Sequence, residues 1–139
     1  AVQGDTYIPA GLFWGQALIS SDAPFTEAAT YTQVQSESGV KAVILMTDGM
    51  NTLSANYPAH NNSDTAVANA KTLQLCTELK SNDVEIYTVA FQVPNASVKA
   101  MLDQCATDPA QSYDANDAAA LNEAFLEIGR SLTELALSR

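Results

Sequence analysis

Lys41-Ala42-Val43-Ile44-Leu45-Met46-Thr47-Asp48-Gly49 is the stretch that decides the fold. It continues from Val40 as a nearly unbroken apolar run and stops abruptly at Thr47-Asp48-Gly49. A short run without alternation has the profile of a strand buried on both faces, as in a parallel sheet. Ligands of open parallel sheets bind beyond the carboxyl ends of the strands. Asp48 stands at such an end, where Gly49 releases the chain into a loop, so its carboxylate is a ready ligand for a hard cation. The plainer alternative is an Asp that begins a loop and caps nearby amides.

Working outward, Val84-Glu85-Ile86-Tyr87-Thr88-Val89-Ala90-Phe91 reads as a second buried strand, and a weaker third is suggested around Gln111-Ser112-Tyr113. Between the first two, Ser63 or Asp64 caps a helix that runs to about Lys80, with Ala66, Ala70, Leu73 and Cys76 on its apolar face. Pro94-Asn95-Ala96-Ser97 opens a shorter helix with Val98, Met101, Leu102 and Cys105 on one side. Asn116 or Asp117 caps the last helix, whose stripe is Leu121, Ala124, Phe125, Ile128, Leu132 and Leu135. Upstream, Gly4-Asp5-Thr6-Tyr7 is turn-like and leads into a helix that ends before Pro24. Phe13 and Trp14 lie in that helix and are expected to pack against the core. The polar residues 26–39 read as a surface loop.

Strands separated by helices of this length imply right-handed crossovers and an α/β fold, a parallel sheet with helices on both faces. The 139 residues fit one domain, and 47% hydrophobic against 16% charged residues argues for a packed globule. Sixteen acidic and six basic residues leave a net charge of -10, which speaks against a nucleic-acid partner. No apolar run approaches the ~20 residues that span a bilayer, and no signal-peptide pattern is present. Ala1-Val2-Gln3 has no initiator Met, and the chain is expected to be part of a longer one. Cys76 and Cys105 are the only cysteines. They are either a disulfide or two buried thiols. Their places late in successive helices favour pairing, which would put the protein outside the cytosol.

The string Lys41 to Gly49 resembles the strand and third metal-site motif of von Willebrand factor A domains. The opening Gly4-Asp5-Thr6-Tyr7-Ile8-Pro9-Ala10-Gly11-Leu12 resembles their second motif, and residues 84–91 look like the next strand. More narrowly, four features resemble the carboxyl-terminal region of bacterial TadG-like pilus-assembly proteins. They are Gly11-Leu12-Phe13-Trp14-Gly15, Asp22-Ala23-Pro24-Phe25, Cys105-Ala106 with Tyr113-Asp114-Ala115, and Leu135-Ala136-Leu137-Ser138-Arg139. The resemblance implies the carboxyl-terminal half of an A domain with Rossmann-like topology over residues 1–139. It further implies a metal-ion-dependent adhesion site, where Mg²⁺ or another divalent cation is held by Asp-x-Ser-x-Ser, a Thr and an Asp. Thr6 matches the Thr and Asp48 the Asp.

No Asp-x-Ser-x-Ser occurs in the chain. Ser36-Glu37-Ser38 lacks the Asp and sits elsewhere, and the family's motif would precede Ala1. With Thr6 and Asp48 alone, a cation is expected to be mostly hydrated and weakly held. The implied function is non-enzymatic: a protein-interaction module of a periplasmic or cell-envelope protein in Tad (Flp) pilus assembly, its parent membrane-anchored. The alternatives are an α/β hydrolase or phosphatase fragment using Asp48, and a purely structural domain without metal. The missing half would leave the strand at 41–46 with a bare apolar edge, so self-association or pairing with that half is expected. His60, the single histidine, lacks partners for a zinc site or triad and reads as a solvated loop residue. No glycine-rich phosphate motif is present. Asp103, Asp108, Asp114 and Asp117 read as caps and turns.

Overall fold

The computed structural model describes residues 5–54 and 65–138. The elements follow the order α1 (Ile8–Ile19), α2 (Tyr31–Ser36), β1 (Lys41–Thr47), α3 (Thr65–Ser81), β2 (Val84–Phe91), α4 (Ala96–Cys105), a 3₁₀ turn (Pro109–Gln111), β3 (Ser112–Ala115) and α5 (Ala118–Leu137). The three strands form a parallel sheet in the order β1-β2-β3. This is the α/β architecture expected from the apolar runs. His60, Asn61, Asn62, Ser63 and Asp64 lie outside the described residues.

Side chains alternate along β2, and each set meets a different layer. Val84, Ile86 and Ala90 join the core formed with α1, α3 and α4. Tyr87 and Val89 turn the other way, toward Ile128 of α5, and the Tyr87 hydroxyl lies 2.8 Å from that of Ser131. β2 is therefore covered on both faces. β1 differs from the expectation. Ile44 pairs with Tyr87 and Met46 with Val89, so they share the α5 side of the sheet. Yet α5 packs over β2 and β3, and Ile44 and Met46 remain 40% and 44% exposed. The bare edge of β1 is as expected, but the strand that reads as doubly buried has one face that no described element covers.

Three further expectations are corrected. Residues 26–39 are not all loop, because Thr30 and Gln33 form a reciprocal capping box that starts α2. On α3 the buried residues are Ala68, Thr72, Cys76 and Leu79. Ala66 and Ala70 face solvent because the inward stripe runs through the polar Thr72, which hides its period. On α5 only Ala124 and Ile128 are buried, and Phe125 is 42% exposed. The third strand, expected around residues 111–113, runs over Ser112–Ala115, and of the two candidate caps for the last helix Asp117 takes the place.

Two lysines tie the layers together. Lys41 begins β1 and donates to the carbonyls of Ile19 and Ala29, with its ammonium 4.5 Å from the centre of the Tyr31 ring. A cation at the last turn of α1 meets the negative end of the helix. Burial nonetheless holds its pKa below the usual lysine value. Lys80 donates to the Gln104 and Ala106 carbonyls at 2.8 and 3.2 Å and closes the end of α4. Beside it the Cys76–Cys105 disulfide joins α3 to α4 with a Cα separation of 5.2 Å. The expected pairing is present. Because the bridge spans 29 residues, its reduction should lower the unfolding free energy by about 3–4 kcal/mol on the chain-entropy account. Urea denaturation with and without reductant measures this, and Cys76→Ser should reproduce the reduced curve.

Candidate functional site

The carboxyl end of β1 builds the candidate site. The Thr47 hydroxyl donates to the Gly49 carbonyl at 2.8 Å and accepts from the Gly49 N–H at 3.3 Å, so the strand turns sharply around Asp48. Asp48 is exposed, and among the described residues its carboxylate has no hydrogen bond or ion pair. It therefore does not serve as a cap here.

The chain after Asp48 returns alongside the residues that precede α1. The Thr6 N–H donates to the Thr52 hydroxyl at 2.7 Å, and the Thr6 carbonyl accepts from the Thr52 and Leu53 amides at 2.9 and 3.2 Å. Asn51 fastens this seam. It is fully buried, its carbonyl oxygen accepts from the Ile8 N–H at 2.7 Å, and its amide donates to Asn69 at 2.8 Å. The Ile8 amide is one of the free donors at a helix start, so Asn51 both satisfies α1 and fixes it against α3. A buried amide with both ends paired is a strong positional constraint. Sequence reasoning missed Asn51, because nothing separates it from the other polar residues after Gly49.

As a result, Thr6 and Asp48 line one open cavity of about 500 Å³, together with Gly11, Met46 and Phe91. The sequence-derived pair is thus brought together by the fold. Ser36-Glu37-Ser38 is not: it closes α2 and leads to the amino end of β1, opposite Asp48. The donor chemistry of Thr6 and Asp48, a hydroxyl and a carboxylate, fits Mg²⁺, which keeps several waters and takes only one or two carboxylates. Among the described residues no three His, Cys, Asp or Glu side chains converge. The acidic scatter has structural work instead. Asp108 and Asp117 cap helices, Asp103 accepts from Ser112 at 2.6 Å, and Asp114 pairs with Lys99 at 2.5 Å.

Phe13 and Trp14 do not pack into the core. They are 53% and 52% exposed on α1, with ring centroids 5.5 Å apart in an edge-to-face contact. Among the described residues no helix is long and apolar enough to cross a membrane.

The fold and site define an α/β domain of Rossmann-like build with a carboxylate and a hydroxyl presented at a strand end. No family profile and no curated protein matches the chain. Among solved structures it is similar to the pilus adhesin SpaC from Lactobacillus rhamnosus GG. One crystal structure of SpaC is 18% identical with a TM-score of 0.63, and matches 96% of this chain. A second, in an open conformation, is 17% identical with a TM-score of 0.62 over the same share. The chain spans 19% of the length of SpaC. At this identity the likeness is one of fold.

Replacing Asn51 by Ala leaves the Ile8 N–H and the Asn69 side chain without their partner in a buried place. The expected loss is about 2–3 kcal/mol of stability. Asp48→Asn, at an exposed position, should stay within about 0.5 kcal/mol of the parent. Chemical denaturation of the two variants side by side makes the comparison.

Proposed function

We propose that this chain is a non-enzymatic docking module, the carboxyl-terminal half of a von Willebrand A-type domain. The parent is a TadG-like cell-envelope protein, membrane-anchored with this part in the periplasm, that serves assembly of an adhesive Tad (Flp) pilus. The observation that carries the reading is the meeting of Thr6 and Asp48 in one cavity at the carboxyl end of β1. The fold likeness to a pilus adhesin supports it. So does the Cys76–Cys105 disulfide, which suits an oxidising compartment.

In this reading a divalent cation bound near Asp48 supplies an open coordination position for a partner carboxylate. Thr6 and Asp48 hold it from this chain, and the Asp-x-Ser-x-Ser residues come from the preceding half. The uncovered side of β1, with Ile44 and Met46 exposed, is where that half adds a strand and its cover. An enzymatic reading needs an acid or base beside Asp48. The described lining of the cavity holds no His, Cys, Glu or Lys.

Calorimetric titration with Mg²⁺ and Mn²⁺ tests the proposal on the chain extended upstream to include the missing strand and motif. Binding should appear with the extension and fall at least about tenfold in Asp48→Ala, equivalent to about 1.4 kcal/mol, without a change in Tm. An extended chain that binds no cation would leave a structural domain. Metal-dependent phosphatase or esterase turnover, lost in Asp48→Ala, would make the protein an enzyme.

A further inference from the structure

Helix α1 contains no charged residue, and Gln16 is its one long polar side chain. It buries Ile8, Pro9 and Leu12, yet its outer side presents Phe13, Trp14 and Leu18 at 53%, 52% and 59% exposure. A helix at a protein surface ordinarily places polar residues outward. Here the outward residues are aromatic, and they are held in place: Trp14 stands between Phe13 and Phe25 in two edge-to-face contacts, with centroids 5.5 and 6.2 Å away. Beside this ridge, between α1 and α3, runs an open groove of about 560 Å³.

The α3 wall of the groove is Lys71, Gln74, Leu75 and Glu78. Their spacing of i, i+3, i+4 and i+7 makes them one stripe along the helix. Lys71 has no hydrogen bond or ion pair among the described residues, and the Glu78 carboxylate accepts from the neutral Gln74 amide at 2.9 Å. The stripe therefore carries one cation and one anion, two turns or about 10 Å apart, with Gln74 and Leu75 between them. That arrangement is complementary to itself under a two-fold axis, which exchanges the ends of the stripe. An isologous contact needs just this property. In a chain of net charge -10, a contact between two copies is favoured where each brings a cation to the other's acid.

We propose that the α1/α3 face is the surface on which two copies of this chain associate. The α3 helices run antiparallel, Lys71 of each copy faces Glu78 of the other, and the Phe13/Trp14 ridge of each seats in the groove of the other. The contact needs no cation and Asp48 does not line the groove, so chelating agents leave it unchanged.

Sedimentation velocity of the oxidised 139-residue chain, over a wide concentration range with a chelator present, should show a rise to twice the monomer mass. Trp14→Ala should weaken association about tenfold or more, as expected for a central aromatic anchor. Lys71→Glu sets two acids against each other at both ends and should weaken it similarly. The exchange Lys71→Glu with Glu78→Lys should restore it. Of the three side chains concerned, Trp14 and Lys71 are exposed and Glu78 is half-buried, and unchanged circular dichroism checks the fold of each variant. A chain that stays monomeric throughout overturns the proposal. So does a dimer indifferent to Trp14→Ala and to both charge variants, which would place the contact elsewhere, as at the β1 edge.

Discussion

Parallel pairing of β1 and β3 on either side of β2 is the constraint on which the rest of the molecule depends. A parallel sheet cannot be closed by tight turns, so each pair of strands commits the chain to a crossover, here α3 and then α4. Both crossovers fall on the same face of the sheet, and their ends come close enough for Cys76 and Cys105 to be bridged. α5 then has the other face to itself. β2, the central strand, must be apolar on both sides, and the one polar side chain buried along it, Thr88, is satisfied. Its hydroxyl lies 3.2 Å from the Leu102 carbonyl and 3.0 Å from the Ser112 hydroxyl.

The site inherits its geometry from this sheet. Asp48 is fixed because Thr47 is the last paired residue of β1, in register with Ala90. Thr6 belongs to the loop before α1. It is placed by the seam to Thr52 and Leu53 and by Asn51, which reaches from the loop after β1 to α1 and α3. A hydroxyl and a carboxylate distant in sequence thus share a cavity through a buried amide that belongs to neither motif.

The elements of highest apolar content were legible because burial on both faces leaves little freedom of composition. Val84–Phe91 is the clearest case. α2 carried its own signal in Thr30 and Gln33, a capping pattern visible without tertiary structure but overshadowed by polar neighbours. The inward stripe of α3 was not legible, since Thr72 is buried by bonding back to the Ala68 carbonyl at 3.0 Å. Periodicity of apolar residues cannot register a polar side chain satisfied by its own helix. Phe13, Trp14 and Phe125 failed for the opposite reason. Hydrophobicity favours burial, but only a neighbouring element supplies it, and none among the described residues covers them.

The sequence by itself determined the parallel α/β order and the strand end at Thr47-Asp48-Gly49, which follow from local composition and from where the apolar runs stop. The pairing of Thr6 with Asp48 came from the resemblance of their two motifs to those of A domains. Only the tertiary structure decided that one face of β1 lies open at Ile44 and Met46, that Asn51 holds the site together, and that α1 turns aromatic rings toward solvent. Each of these depends on which surfaces meet, and a linear pattern records a residue's tendency to be buried but not the partner that buries it.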